Sequence, residues 1–188
     1  MTLFERALTF AAEKHRGMRR RFNGLPYILH PMEAAVIAGS LAADEELLAA
    51  ALLHDVVEDA GVTLEEIGER FTPRVMALVA AETEDKRADQ PPEATWHIRK
   101  EEALTALRHA SDPAVKKLFL SDKLSNLRSL HEMKIREGDA MWRHFHQQDE
   151  REQAWYFGTV LELTRELSAT QAWREYQRLF GEVFGEEG

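Results

Sequence analysis

The run DEELLAAALLHDVVED, residues 44–59, sets acids and a histidine into one continuous apolar stretch. Leu47, Leu48, Leu52, Leu53, Val56 and Val57 recur at helical spacing, so the pattern predicts one helix over 44–59. Within it stand His54, Asp55, Glu58 and Asp59, where burying a charge without a partner is costly. On a helix, His54 and Glu58 are four residues apart, as are Asp55 and Asp59. The four side chains therefore line two adjacent strips of one wall. A divalent cation at the helix edge supplies the missing countercharge.

The same helical period runs through the chain. Leu3, Phe4, Ala7, Leu8 and Ala11 form an amphipathic stripe, and residues 31–42 form another. Thr63 and Glu66 fit a capping box for a short helix ending near Phe71, and Pro73 suits the first turn of a helix running to about Glu82. DKRADQPPEA (85–94) reads as a surface loop. Asp112 and Pro113 open a long helix to about Met133, and two helices follow over 150–167 and 169–184. No alternating β-branched run reaches strand length, so the expected fold is all-α.

Composition bounds the function. The chain has 188 residues, 44% hydrophobic and 30% charged, which suits one domain over 1–188. It has no cysteine, which excludes disulfides and thiolate zinc sites and favours a cytoplasmic setting. The net charge of -9 argues against nucleic-acid partners. No apolar run spans a bilayer and no signal peptide opens the chain. Against this acidic background, KHRGMRRR (14–21) holds five cations and no acid.

An ion at His54 and Asp55 needs further ligands. His30, fixed between prolines in PYILHP, and Asp122, the lone acid in LFLSDKLSN, are the candidates. Two histidines and two carboxylates form a mixed nitrogen and oxygen shell suited to manganese or ferrous iron, with zinc also possible. Glu58 and Asp59 then stand one turn beyond, placed to orient or deprotonate a water. Spacing alone leaves a second reading open, in which His54 is a buried histidine satisfied by a neighbouring carboxylate.

The ordered motifs AAEKHRG, RRR, GLPYILHPMEAA, AALLHDVVEDAGVTLEEI, ETEDK and LSDKLSNLRSL resemble the HD-domain hydrolases of the RelA/SpoT type. The likeness is nearer still to the small single-domain alarmone hydrolases and covers a motif core of about 5–130, followed by a helical extension over 131–188. It implies a bundle of about 8–10 helices holding one Mn²⁺ through His30, His54, Asp55 and Asp122, with Glu58 and Asp59 as the catalytic pair. It implies hydrolysis of the 3′-pyrophosphate of guanosine tetra- or pentaphosphate, releasing pyrophosphate and GDP or GTP. A related phosphohydrolase acting on another nucleotide, such as an adenosine alarmone, NADPH or a nucleoside monophosphate, is the alternative. The length suggests a stand-alone hydrolase whose partner is a small phosphorylated nucleotide, with oligomeric state open.

The resemblance also implies substrate contacts. Arg20 and Arg21 fall on the family's basic pair before PY-x-x-HP, where an arginine stacks on a base or forks onto phosphate. Arg99, Lys100 and Asn126 match further contacts, Lys123 and Arg128 are weaker phosphate candidates, and Arg151 and Tyr156 stand in the penultimate helix. Trp96 beside the Arg99–Lys100 pair is a candidate for base stacking. Phe22, Phe119 and Ser125 depart from the usual small residue, lysine and histidine, altering the surroundings of base and phosphate.

Overall fold

The computed structural model describes residues 1–21 and 23–185. Ten α-helices cover most of them: α1 (Leu3–Lys14), α2 (Leu29–Leu41), α3 (Glu45–Leu53), α4 (Val56–Ala60), α5 (Leu64–Arg70), α6 (Pro73–Glu82), α7 (Pro92–His109), α8 (Pro113–Glu137), α9 (Glu150–Leu163) and α10 (Gln171–Phe184). Among the described residues there is no β-strand; one isolated bridge joins Arg19 to Pro26. No described helix is long and apolar enough to cross a membrane.

Two helices organise the core. In α3, Leu47, Ala49, Ala50, Ala51, Leu52 and Leu53 are all buried, because α1, α2, α6 and α8 pack around it. Its three consecutive alanines keep the helix slim enough for neighbours to approach on several sides. The 25-residue α8 meets α2, α3, α6, α7, α9 and α10. Asp112 caps it by accepting from Ala114 N–H at 2.9 Å, Pro113 occupies the first turn, and Gly138 at φ +57° ends it. The helix runs one turn beyond the expected Met133, and a 3₁₀ segment over Gly138–His144 follows it.

The expected single helix over 44–59 is broken. α3 ends at Leu53, and a turn at His54 and Asp55 leads into the short α4. His54 Nδ1 lies 2.8 Å from the Ala51 carbonyl oxygen, the group that an uninterrupted helix would pair with the Asp55 N–H. Both residues keep near-helical dihedrals (φ −55°, ψ −37° and φ −92°, ψ −8°), so the chain bends without reversing. Gly61 at φ +67° then stops α4, a left-handed position that a side chain would strain.

Other boundaries shift for local reasons. Thr63 accepts from Glu66 N–H, but the Glu66 carboxylate turns to Arg70 at 2.9 Å, so only half of that capping box forms. The complete box is at the start of the chain, where Thr2 and Glu5 bond reciprocally at 2.8 and 3.2 Å. The 85–94 loop gives way to α7 at Pro92, and α9 stops at Leu163 before a 3₁₀ turn over Arg165–Leu167.

Arg74 clamps three of these elements. From α6 it reaches Asp44, the α3 cap, at 2.9 Å, Glu46 at 3.0 Å and Asp112, the α8 cap, at 2.8 Å. Bonds from Arg74 hold the Asp44 and Asp112 carboxyls below their usual range; Thr72 first, then Arg74, do the same for Glu46. Depressed carboxylate pKa values give stability that is full above the unfolded-state values and is lost as pH falls through the folded ones. Arg74→Met should therefore cost about 1 kcal/mol at pH 7, a modest figure because the guanidinium is partly exposed and screened. The deficit should shrink from pH 7 to about pH 2, as pH falls through the depressed folded-state values of the three acids. Urea unfolding at both pH values checks this, and equal stabilities at pH 7 would refute the clamp.

Candidate metal centre and active-site cavity

Three elements bring the predicted ligands together. His30 stands in the first turn of α2, His54 and Asp55 at the α3–α4 bend, and Asp122 midway along α8. His30 Nε2 lies 2.9 Å from Asp122 Oδ1 and 3.4 Å from Asp55 Oδ2. His54 Nε2 lies 3.2 Å from Asp55 Oδ2, 3.3 Å from Asp122 Oδ1 and 3.2 Å from His30 Nε2. His30, His54 and Asp122 are buried and form a cluster able to hold an ion, with Asp55 at its edge.

The tautomers decide whether a cation fits. The Ala51 carbonyl can only accept, so His54 Nδ1 carries a hydrogen, and in the neutral ring that a metal takes Nε2 is bare. His30 Nδ1 lies 2.8 Å from Ser125 Oγ, which itself lies 2.6 Å from Glu33 Oε2. The serine gives its one hydrogen to the carboxylate and accepts from His30, so His30 Nε2 is bare as well. Two bare nitrogens and two carboxylate oxygens thus face one point. Separations of this size are what ligand atoms make when each sits about 2.1 Å from a shared ion. The donor set fits a divalent cation.

Without an ion, the two carboxylates draw a proton onto the histidines, at the place a divalent cation would take. Burial opposes charging His54, but Asp55 and Asp122 outweigh it and raise its pKa well above the ordinary value. Burial likewise opposes ionising Asp122, yet Lys123 and the two histidines hold its carboxyl well below the usual range. Glu82 lies behind them with neither carboxylate oxygen hydrogen-bonded among the described residues, and burial pushes it up to about 7.

Glu58 and Asp59 follow one turn on, in α4. Asp59 Oδ2 is 2.9 Å from the Tyr27 hydroxyl, which is also 2.8 Å from Asp55 Oδ2. One hydroxyl hydrogen thus links the cluster to the acid beside it. Glu58 accepts from the Glu84 N–H at 2.8 Å and pairs with Lys86 at 2.6 Å. Burial raises the Glu58 pKa, against the pull of Lys86.

A cavity of about 450 Å³ opens beside Asp59, lined by Arg20, Arg21, Lys86 and Asn126 among others. A second, of about 200 Å³, adjoins it through Arg20, Trp96, Lys100 and Asn126 and reaches Tyr156. Arg20 donates to Ser129 Oγ at 2.8 Å, while Arg21 meets His146 at 3.4 Å. Asn126 spends its amide N–H on Asp122 Oδ1 at 2.8 Å, leaving its carbonyl oxygen as an acceptor. The Tyr156 hydroxyl is buried without a hydrogen bond among the described residues. Trp96 is mostly buried against Trp155 and Tyr156.

Other expected contacts are engaged elsewhere. Arg99 donates to Glu84, Thr95 and the Pro92 carbonyl, and Lys100 pairs with Glu84 at 2.5 Å, so both line the cavities while sharing one carboxylate. Arg151 does not reach this region. It folds onto its own helix cap, Asp149, at 2.9 Å, and lines a separate surface cavity beside the end of α8. Arg128 is held by Glu33 and Glu175, Phe119 is core, and Phe22 lies outside the described residues. Sequence reasoning missed Tyr27, Lys86 and Gln153. Tyr27 stands three residues before His30, a spacing that could have flagged it; Gln153, which lines both cavities, gives no sequence signal.

Known proteins share this arrangement of sequence and fold. A guanosine-3′,5′-bis(diphosphate) 3′-pyrophosphohydrolase of Aquifex aeolicus is 43% identical over 126 residues, covering 67% of this chain. This chain spans only 17% of that relative's length. The mouse guanosine-3′,5′-bis(diphosphate) 3′-pyrophosphohydrolase MESH1 is 41% identical over 66% of this chain and 68% of its own. The structure of a metazoan SpoT orthologue that hydrolyses ppGpp superposes with a TM-score of 0.74 at 27% identity, covering 96% of this chain and 94% of that one. The HD domain family model matches residues 7–149, a span that includes every group facing the shared point. By sequence and by fold, the chain belongs to the HD domain family.

Proposed function

We propose that this chain hydrolyses the 3′-pyrophosphate of guanosine tetra- or pentaphosphate with one bound Mn²⁺. The reading rests chiefly on the two bare histidine nitrogens and two carboxylates facing one point, 3.4 Å or less apart across each His–carboxylate pair, with Asp59 beside them at a cationic cavity. The activities named for the Aquifex and mouse relatives are of this kind. His30, His54, Asp55 and Asp122 would hold the ion, and their mixed donors suit manganese. When bound, it supplies Lewis-acid activation of a water and countercharge for phosphate oxygens.

The chain's own residues do the rest. Tyr27 fixes Asp59 so that its carboxylate orients the attacking water. Glu58, whose pKa burial raises, takes up the water proton more readily than an exposed carboxylate would. The water oxygen bonds to the phosphorus on the ribose 3′-oxygen, that P–O bond breaks, and the 3′-oxygen leaves with a proton that balances the one Glu58 took from the water. Pyrophosphate and GDP or GTP result. Arg20 and Arg21 offset the phosphate charge.

A second reading has one observation in its favour. Arg99 and Lys100 share Glu84, whose single charge offsets one of the two cations, which suits a nucleotide carrying fewer phosphates. Incubating the protein with Mn²⁺ and a panel of purine nucleotides separates the two. Pyrophosphate released from the guanosine alarmone supports the first; orthophosphate alone, or turnover confined to another nucleotide, supports the second.

Glu58→Gln should lower kcat by roughly 10²–10⁴-fold while KM changes little, as loss of a proton-transfer group does. A variant as active as the parent would remove Glu58 from the mechanism. Tyr27→Phe should lower kcat by on the order of 10-fold, since misplacing a catalytic group costs rate without removing it. Steady-state kinetics with a pyrophosphate readout measures both, and an unchanged kcat for Tyr27→Phe would deny its positioning role.

A further inference from the structure

The two histidines at the centre have their tautomers set differently. His54 is fixed by a backbone carbonyl, which the fold supplies whatever the side chains nearby. His30 depends on side chains alone. Its Nδ1 lies 2.8 Å from Ser125 Oγ, Ser125 Oγ lies 2.6 Å from Glu33 Oε2, and Glu33 Oε1 lies 2.8 Å from Arg128 Nη1. Arg128 is in turn forked onto Glu175, with both bonds at 2.8 Å.

Helix geometry makes this chain of contacts possible. His30 and Glu33 are three residues apart on α2; Asp122, Ser125 and Arg128 are spaced by threes on the facing α8. The same α8 stripe therefore carries one ligand, Asp122, and the groups that orient another, His30. Ser125 is fully buried, so no solvent competes for its hydroxyl.

We propose that Ser125 and Glu33 are positioning residues that hold His30 with Nε2 bare and aimed at the metal centre. The proposal rests on the metal-centre reading above. The polarity of the relay is what matters. The Glu33 carboxylate has no hydrogen to give, so the serine hydrogen must point to it and the serine lone pair to His30 Nδ1–H. An amide at position 33 has a hydrogen to give. It frees the serine hydrogen to turn to His30 Nδ1, which moves the ring hydrogen to Nε2, where it blocks ligation. A methyl group at position 125 leaves the His30 tautomer unset.

The test is Mn²⁺ affinity by titration calorimetry, with circular dichroism and thermal unfolding as folding controls. Ser125→Ala and Glu33→Gln should each weaken Mn²⁺ binding by roughly 10–100-fold, as loss of a partner behind a metal-ligating histidine does. Ser125→Thr, which keeps the hydroxyl, should stay within about threefold of the parent, the scatter expected of a retained contact. Glu175→Gln weakens the Arg128 anchor without changing the relay's polarity and should also stay near the parent. Should Ser125→Ala fail to fold, Glu33→Gln, nearly equal in volume, still decides. Parent-like affinity in Glu33→Gln and Ser125→Ala would overturn the relay alone. A parent protein that binds no Mn²⁺ would overturn the metal-centre reading and the relay with it.

Discussion

Four polar groups facing one point in a buried place are the constraint on which the rest of the structure turns. His30 Nε2, His54 Nε2, Asp55 Oδ2 and Asp122 Oδ1 come from three separate elements, and two of the groups are acids. Left alone, each would incur the desolvation cost of burial and face like partners. One divalent cation settles all four at once. A bound cation would also join α2, the α3–α4 bend and α8 across positions far apart in sequence.

That demand explains the least regular part of the fold. On a regular helix His54 and Asp55 lie about 100° apart around the axis, on adjacent strips. At the bend after Leu53 both face the same point, with the His54 ring held by Ala51. The bend also sets Glu58 and Asp59 on their own short helix, where Tyr27 connects Asp59 to Asp55. The helices that surround the site supply its polarity: α2 and α8 hold His30 through Ser125 and Glu33, and Asn126 holds Asp122.

Much of this was legible in the sequence, for reasons that can be named. Apolar residues at helical spacing marked the helices, and Asp112–Pro113 and Pro73 marked two of their starts. Acids within apolar sequence marked the polar cluster, because only a partner makes that placement tolerable. The bend at His54 was hidden, because it arises from a side chain competing for a carbonyl and leaves no glycine or proline behind. The fates of Arg99, Lys100 and Arg151 were hidden too. Each is a cation whose partner, Glu84 or Asp149, is set by tertiary packing or by a local cap that period alone does not weigh. Gln153 reaches the cavities only because α9 packs against α7 and α8.

The central claim is that these four atoms share one ion. Crystals of the protein grown with Mn²⁺, measured at the manganese absorption edge, test it most directly. One anomalous peak per chain is expected, at about 2.0–2.3 Å from His30 Nε2, His54 Nε2 and the nearest oxygens of Asp55 and Asp122. Absence of a peak there, or a peak held only by surface carboxylates, would contradict it.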